Sequence, residues 1–420
     1  MRKIKKMTQG DLAAGITNRS YISQIEKGMV KPSIKLLRKF CDRLDCELSE
    51  FFVESEPELL KLDITNQLIS LEYSVLHHDT DEEITESLTI IRDNLEKLNK
   101  NDLALFYFCQ AKYLKSFKKD WDNAIPDFLK SIELHEGNKK NGTWIRAVNE
   151  LSEIYIKVNN NDYAFPLLDH AYHVAITQKI GGVEKIKLLT NLGITHAKTG
   201  EYRSAIRFLN EALEISHQTR VFVQAGEAYL VLGLSYKNIG NLALALSAYE
   251  KALIHFSSIP DQLNLGGTLT NIGILYRNQN NYDSSIYYLG KAKETFDELE
   301  DSYGYLNTEY ELAVSHFLNT DYQTVKKLYE NFREKLTDDF PSKINTKFTL
   351  LMGDLYVAAS RTDLGINLYK QAYLTASSSS FKQNIISHVL SQLGKSNNND
   401  LVNEWVSFIV EQKPEVYFIY

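Results

Sequence analysis

The sequence predicts an all-α protein in which a short helix-turn-helix precedes a right-handed superhelix of about nine helix pairs. Three observations support this prediction. Proline, which interrupts helices, accounts for only 7 of the 420 residues. The first 53 residues are basic and contain short amphipathic segments separated by a turn. The rest of the chain repeats a helix-pair pattern about every 40 residues.

Charge is distributed unevenly along the chain. Residues 1–53 contain 11 Lys and Arg against 6 Asp and Glu, a net charge of +5. The remaining residues contain 36 basic and 48 acidic side chains, a net charge of −12. Because DNA phosphate attracts the first segment and repels the second, we expect nucleic-acid binding only in the N-terminal segment.

Composition also predicts the cellular setting. No apolar stretch approaches the ~20 residues that cross a bilayer, and residues 1–6 lack the apolar core of a secretion signal. The three cysteines, Cys41, Cys46 and Cys109, fit neither a metal-binding pair nor a disulfide framework. We therefore expect a cytoplasmic protein with buried, reduced thiols, no cofactor, no metal and no membrane partner.

The basic segment reads as three helices. Thr8 is the expected N-cap of a short first helix, and a second helix should run from Asn18 to Gly28 with Ile22 and Ile25 facing inward. A third helix is expected over residues 34–44. The second helix carries Arg, Ser and Gln near its N-terminal end, and in the major groove Arg reads guanine and Gln reads adenine. The expected DNA contacts are Thr8, Gln9, Arg19, Ser20, Tyr21, Ser23, Gln24 and Lys27.

The arrangement T-Q-x-x-L-A, then R-S-Y-I-S-Q-I-E-x-G, then P-S resembles the lambda-repressor-like helix-turn-helix family over residues 7–52. The resemblance implies a dimer bound to a two-fold operator in promoter DNA. Only residues 1–7 precede Thr8, so we expect the first helix of this family to be truncated. The alternative is that these helices serve protein contact or dimerisation.

The repeats share a small residue in the first helix of each pair, here called the anchor. The anchors are Ser152, Gly193, Gly233, Gly273, Ala313 and Gly353, with a poor match at Lys112. A usually small residue follows 12 positions later and a large residue 16 positions later. The small residues should let the two helices approach closely, and the large residue should fill the adjacent space. Gly181–Gly182 and Gly266–Gly267 are expected in turns between repeats.

The pattern L-G-x-x-Y, clearest in residues 232–240, resembles the tetratricopeptide repeat, whose period of about 34 residues is extended here. Seven units are recognisable, and weaker helices at 59–100 and 385–412 should cap them, which gives about nine extended tetratricopeptide repeats. We therefore predict a helix-turn-helix domain at 1–54, a linker at 55–60 and a repeat domain at 61–420.

In such repeats the first helices line a concave groove. Counting the anchor as position 8, positions 2, 5, 6, 9, 12 and 13 should face this groove. Many are asparagine, whose amide can pair with the N–H and C=O of a peptide backbone. The predicted peptide contacts are Arg146, Asn149, Asn191, Glu227, Asn238, Asn271, Arg277, Asn278, Asn307 and Tyr310, and the same positions carry Lys187, Lys237 and Glu311.

Size favours a peptide over a metabolite. Neighbouring first helices should lie ~10 Å apart, so Asn149, Asn191 and Asn271 should span about 30 Å. An extended peptide covers ~3.3 Å per residue, so about five to nine residues would bridge these side chains. The alternative is that the asparagines form a solvated inner surface that binds nothing.

A lambda-repressor-like segment followed by extended tetratricopeptide units resembles the peptide quorum-sensing receptors of the Rap, Rgg, NprR, PlcR and PrgX group. The length and the 40-residue period look most like the neutral-protease regulators of the NprR type. The resemblance implies that an imported signalling peptide binds the groove, changes the homodimer or higher oligomer, and directs the protein to promoters of extracellular protease genes.

Two alternatives remain open at this point. The same resemblance implies a Rap-like protein that, when free of peptide, binds a response regulator of the sporulation phosphorelay by sequestration or as a phosphatase. In the phosphatase case Gln67 would be the residue that orients water. The other alternative is a protein–protein scaffold. The sequence contains no phosphate-binding loop, no dinucleotide fingerprint and no H-E-x-x-H pair, so we predict that the protein is not an enzyme.

Overall fold

The computed structural model describes residues 2–3, 5–27, 30, 32, 34–46, 56–77, 80–135, 142–336, 342–395 and 399–412. This part of the chain forms 21 α-helices and no β-strand, so the predicted all-α fold class is confirmed. A membrane-spanning helix needs a long apolar stretch, and none of the helices within these ranges has one.

The helices begin and end close to the positions that the sequence pattern indicates. Residues 1–54, here called the head, contain α1 (Gln9–Ala13), α2 (Arg19–Glu26) and α3 (Ile34–Leu44). Nine helix pairs follow in the chain: α4 (Glu56–His77) and α5 (Asp81–Arg92), α6 (Lys100–Tyr113) and α7 (Trp121–Leu134), α8 (Gly142–Lys157) and α9 (Asn161–Thr177), α10 (Gly182–Lys198) and α11 (Tyr202–Thr219), α12 (Ala225–Asn238) and α13 (Leu242–Ser257), α14 (Gln262–Asn278) and α15 (Tyr282–Glu298), α16 (Ser302–Leu318) and α17 (Tyr322–Lys335), α18 (Ser342–Ala358) and α19 (Thr362–Thr375), α20 (Ser379–Lys395) and α21 (Asn399–Gln412).

Local sequence explains the helices of the head. Thr8 caps α1 in a reciprocal capping box with Asp11, as predicted. Asn18 caps α2 by accepting a hydrogen bond from the backbone N–H of Tyr21. Ile22 is buried with Phe40 and other apolar side chains of α1 and α3 in one small core.

Two expectations for the head concern its beginning and the end of α2. The described residues ahead of Thr8 form turns rather than a helix. The expected end of α2 at Gly28 lies outside the described residues, as do residues 47–55, which include Leu48, Phe51 and Phe52.

The expected linker at 55–60 is replaced, in its described part, by helix. Residues 56–60 already belong to α4, which begins at Glu56. Proline fits there because the first turn of a helix leaves its N–H groups without intrahelical partners, and acidic residues favour the same turn. The separation into a domain at 1–54 and one at 61–420 stays a prediction. By density of contacts the chain divides instead into unit 1, Met1–Ile154, and unit 2, Tyr155–Tyr420.

The first helix of each pair, here called the A helix, packs against the second, the B helix, at its anchor residue. A Cβ atom on Gly233 would lie only 2.5 Å from the ring of Tyr249, the large residue 16 positions later. Gly193 with Leu209, Gly273 with Leu289, and Gly353 with Tyr369 are just as close. The predicted close approach of the two helices at these glycine anchors is therefore confirmed.

In unit 2, successive A helices also contact one another. Contacts join α10 to α12, α12 to α14, α14 to α16, and α16 to α18. The A helices therefore form a continuous layer, and side chains from neighbouring repeats meet on it. This layer, α10, α12, α14, α16 and α18, is called the A-helix wall below.

The poor anchor at Lys112, in unit 1, is explained by an ion-pair cluster. Lys112 binds Glu150 at 2.8 Å, while Lys115 binds Glu150 at 2.6 Å and Glu153 at 2.8 Å. Lys115 lies in a π-helical turn, Leu114–Lys118, and is 7% exposed. Burial lowers the pKa of Lys115, but the two carboxylates raise it by more, so the ammonium stays charged. These ion pairs join α6 and the π-helical turn to α8, the A helix of the next pair.

One prediction about glycine is wrong. Gly181 and Gly182 do lie where α10 begins, but Gly266 and Gly267 lie inside α14 rather than in a turn. A Cβ atom on Gly266 would lie 2.8 Å from the ring of Phe296. This glycine therefore provides space for the B helix of its own pair.

We predict that Gly233→Ala lowers the free energy of unfolding by about 1–3 kcal/mol, because the buried Tyr249 ring must move. Gly290→Ala is the matched control, since Gly290 lies inside α15 with no atom within 4 Å of its added Cβ. It should raise stability by about 0.5–1 kcal/mol because alanine favours helix. Urea unfolding followed by circular dichroism measures both changes. Equal effects of the two substitutions would contradict the close-approach role of Gly233.

Candidate functional site

Helix α2 presents a polar exposed face in the head. Ser20, Gln24 and Lys27 are exposed with the i, i+4, i+7 spacing of one helix face, and Arg19 is exposed at the start of the helix. Tyr21 and Ser23, which were also expected to contact DNA, are half-buried. The exposed set combines two cations with amide and hydroxyl groups, which suits contacts to phosphate and base edges.

The side chains of Thr8 and Gln9 both form hydrogen bonds within the head. The Thr8 hydroxyl donates a hydrogen bond to Asp11 at 2.6 Å, as part of the capping box. The Gln9 amide donates to Glu26 at 2.7 Å. Thr8 therefore caps α1 and Gln9 links α1 to α2, and the phosphate contacts expected of both residues stay a prediction.

Glu26 joins three segments of the head. Its carboxylate accepts hydrogen bonds from the Arg2 guanidinium at 2.6 and 3.1 Å, as well as from Gln9. The Arg2 and Gln9 hydrogen bonds lower the pKa of Glu26 from its usual 4.5 to about 2. The bidentate contact thus holds the segment before α1 against the end of α2.

On the A-helix wall, the most extensive polar contact is an ion pair between α14 and α16. Arg277 Nη2 lies 2.7 Å from Glu311 Oε2, and Arg277 Nη1 donates to the backbone carbonyl of Glu311 at 3.0 Å. Both side chains are only 12% exposed. Arg277 was predicted to bind a guest directly, but in this structure its guanidinium already binds a carboxylate of the neighbouring repeat.

Lys237, at the equivalent position of α12, is half-buried beside this ion pair. Burial lowers its pKa, and Arg277 adds to that effect while Glu311 opposes it. A lowered lysine pKa indicates that burial removes water from the ammonium and that nearby carboxylates make up for only part of the lost hydration.

Tyr310 and Asp354 complete the cluster from α16 and α18. The Tyr310 ring packs edge-on against Phe348, with the Lys347 ammonium 5.2 Å from its centroid. Burial, followed by the nearby charge of Glu311, raises the pKa of the Tyr310 hydroxyl. The Asp354 carboxylate accepts hydrogen bonds from the Tyr369 hydroxyl at 2.7 Å and binds His388 Nε2 at 2.9 Å.

The predicted asparagines differ in how accessible they are. Asn191 is 2% exposed, whereas Asn271 and Asn307 are half-buried and Asn238 and Asn278 are exposed. Asn271 and Asn238 each donate one amide hydrogen bond to the carbonyl four residues earlier in the same helix, at 3.0 and 2.8 Å. Their second N–H and their carbonyl oxygen keep capacity for a peptide backbone. The peptide-contact assignment of these residues stays a prediction.

The other three predicted peptide contacts lie in unit 1 and on α12. In unit 1, Arg146 forms an ion pair with Glu72 at 2.6 Å and lies 4.8 Å from the centre of the Phe108 ring. Asn149, also in unit 1, is 2% exposed. Glu227 is half-buried on α12. Arg146 therefore already has an oppositely charged partner in Glu72, and binding a guest through its guanidinium would require it to exchange that partner.

The sequence reading missed Lys347 and Asp354. Both fall on groove positions of the last recognised repeat, counted from the anchor Gly353 as positions 2 and 9. The same counting rule would have found them. It could not have found His388, which lies on α20 after the last anchor.

Comparisons with known proteins agree with this architecture. The helix-turn-helix family matches residues 1–51, and tetratricopeptide-repeat families match residues 186–219 and 224–298. No curated protein matches the chain. The crystal structure of the apo form of RapI has a TM-score of 0.61 at 16% identity, over 84% of this chain and 98% of RapI. The apo form of the quorum sensor NprR from B. thuringiensis has 0.57 at 16% identity, over 83% and 99%.

This chain has the fold of RapI and NprR. A further structure, NprR in complex with its cognate peptide NprX, has a TM-score of 0.51 at 16% identity, over 83% of this chain and 99% of that one. At this identity the likeness establishes the fold, and it confirms the predicted sequence of helix-turn-helix and tetratricopeptide repeats.

The Glu26 contacts predict how the head responds to acid. Because the folded pKa lies below the ordinary value, the carboxylate contributes stability that is present above pH 4.5 and is lost as the pH falls through about 2. Arg2→Met should raise the pKa of Glu26 towards 4.5, whereas Arg38→Met, an exposed arginine on α3, should not. Carboxyl ¹³C resonances followed against pH measure this. Titration of Glu26 near 4.5 in the unaltered protein would refute the contact.

Proposed function

We propose that this protein is a peptide-responsive transcription regulator, whose head binds promoter DNA and whose A-helix wall binds a short extended peptide. The observation that carries the proposal is the shared fold with NprR, which has been crystallised with its cognate peptide NprX. The helix-turn-helix family match at residues 1–51 and the exposed polar face of α2 support the DNA-binding part.

The chemistry of the A-helix wall suits a peptide backbone. Asn191 and Asn271 lie on α10 and α14, two helix intervals apart, which corresponds to ~20 Å. An extended segment of about six residues covers that distance. The proposed guest is therefore a peptide of about five to nine residues. Asn238, Asn278, Asn307 and Tyr310 supply further polar groups along the wall.

The remaining parts of the proposal concern assembly and targets. A two-fold operator would require two heads, so we propose a homodimer or higher oligomer whose state depends on the peptide. The proposed setting is the cytoplasm, and the proposed targets are promoters of extracellular protease genes. These follow from the resemblance to NprR-type regulators.

A Rap-like role is the second candidate. The likeness to RapI, which extends over 98% of that protein, favours it. In this role the peptide-free protein would bind a response regulator of the sporulation phosphorelay. Gln67, the residue considered for water activation, is half-buried on α4, and its Oε1 is buried with no donor among the described residues. Its carbonyl oxygen would have to turn outward to act on a bound phosphoryl group.

We predict that DNA binding and peptide binding are lost separately. Selection from a pool of random duplexes should enrich sequences with two-fold symmetry, and a pool of random heptapeptides should change how tightly those duplexes bind. Arg19→Ala should abolish the enrichment and leave peptide binding intact. Asn271→Ala should weaken peptide binding several-fold and leave DNA binding intact. Gel shift and fluorescence titration measure the two activities.

Lys130→Ala is the control, since it removes one exposed cation outside the head. It should change neither activity. If Arg19→Ala and Asn271→Ala impaired both activities alike, the assignment of DNA binding to the head and of peptide binding to the A-helix wall would be wrong. If the peptide pool had no effect on DNA binding while a response regulator bound the peptide-free chain, the Rap-like role would be favoured.

A further inference from the structure

Charged groups on this part of the A-helix wall come from four successive A helices. Lys237 lies on α12, Arg277 on α14, Glu311 on α16, and Lys347 and Asp354 on α18. The cluster therefore contains three cations and two carboxylates on one stretch of the A-helix wall. Its charges are not balanced.

The two carboxylates already have donors. Glu311 receives the Arg277 guanidinium at 2.7 Å. Asp354 receives the Tyr369 hydroxyl and His388 Nε2, at 2.7 and 2.9 Å. Both carboxylates therefore have partners other than Lys237.

Lys237 has no such partner. No carboxylate among the described residues lies within 4.0 Å of its Nζ. The side chain is half-buried, so it has lost much of its water as well. A partly desolvated ammonium without an anion costs free energy, and an anion placed beside it removes much of that cost. An anion bound beside Lys237 would therefore stabilise this part of the A-helix wall.

We propose that Lys237 receives a carboxylate of the bound guest, which makes the guest a peptide that carries a negative charge where it crosses α12 and α14. This inference rests on the proposed peptide-binding function and adds the chemistry of the guest to it. The carboxylate comes either from an acidic side chain or from the C-terminus of the peptide, and both present the same group to the ammonium.

Glu311 disfavours an anionic guest, whereas Lys237 favours one. Its carboxylate binds the Arg277 guanidinium, and its negative charge also acts on Lys237, so it would repel a second anion placed there. A neutral amide at this position would leave Arg277 available and remove the repulsion. Glu311 therefore acts as a positioning residue that limits how tightly an anionic guest binds.

The test uses synthetic heptapeptide pools that are random at six positions and have amidated C-termini. One pool has Asp at the central position and the second has Asn, and a third is the Asn pool with free C-terminal carboxylates. Binding is measured by fluorescence titration to the whole chain. The wild-type protein should prefer the Asp pool or the free-acid pool over the amidated Asn pool by about tenfold, the size expected for one charge-assisted hydrogen bond.

Lys237→Met keeps the length of the side chain and removes its charge, so it should abolish this preference while binding of the amidated Asn pool persists. That retained binding shows that the variant is folded. Lys251→Met, an exposed lysine of the B helix α13, is the matched control and should keep the preference. Glu311→Gln should increase affinity for the preferred pool several-fold.

The outcomes separate the two proposals. Preference for the Asp pool assigns the carboxylate to a side chain, and preference for the free-acid pool assigns it to the C-terminus. Equal binding of all pools by the wild type, or a preference unchanged by Lys237→Met, overturns the carboxylate assignment but leaves peptide binding standing. If no pool binds the wild type, the peptide-binding function itself fails, and the assignment fails with it.

Discussion

The close approach of the A and B helices at the glycine anchors is the contact on which the rest of the structure depends. At Gly233 the helix surface has no Cβ, and the ring of Tyr249 fills the space that a side chain would take. The same contact recurs every 40 residues, so each pair presents the same faces to its neighbours. Repeated side-by-side packing of A helices then follows without any further specific interaction.

This packing brings residues that are distant in sequence together on one surface. Arg277 and Glu311 are 34 residues apart, yet they form an ion pair because their helices are neighbours on the wall. Lys237, one repeat earlier, lies beside them for the same reason. A guest laid across the A helices would meet all three side chains. Charged and amide side chains of several repeats therefore lie together on the A-helix wall, and a single repeat would carry only a few of them.

The contrast between the units shows what the anchor contact does. Unit 1 has Lys112 at the anchor position of α6, and ion pairs from Lys112 and Lys115 reach Glu150 on the next A helix, α8. Ion pairs depend on the exact placement of charged atoms and on the exclusion of water. A glycine contact depends only on shape. The glycine contacts therefore suit a repeated stack, whereas the lysine cluster suits a single irregular pair.

The sequence predicted features that depend on period and local capping. The A and B helices, the glycine anchor contacts and the Thr8 cap all follow from residue spacing. It did not predict features that depend on three-dimensional neighbours. The Gln9–Glu26 hydrogen bond joins two helices, and the side chain of Arg277 could be recognised as polar but not as already paired.

Other errors have equally local causes. Gly266 looked like a turn residue because two adjacent glycines favour turns, but the large Phe296 ring opposite needs that space inside α14. The start of α4 was placed too late because an acidic segment was taken as a linker, although acidic residues and proline are both well tolerated in the first turn of a helix. The carboxylates of the A-helix wall were visible in sequence, whereas their partners on other helices were not.

Photo-crosslinking tests most directly the claim that the A-helix wall holds an extended peptide. A benzophenone amino acid would replace Asn307, half-buried on the wall, or Tyr287, which is 55% exposed on the B helix α15. The protein would then be irradiated with pooled random heptapeptides and the products identified by mass spectrometry. The account predicts peptide adducts at position 307 and none above background at 287. Adducts at 287 alone, or equal adducts at both positions, would contradict it.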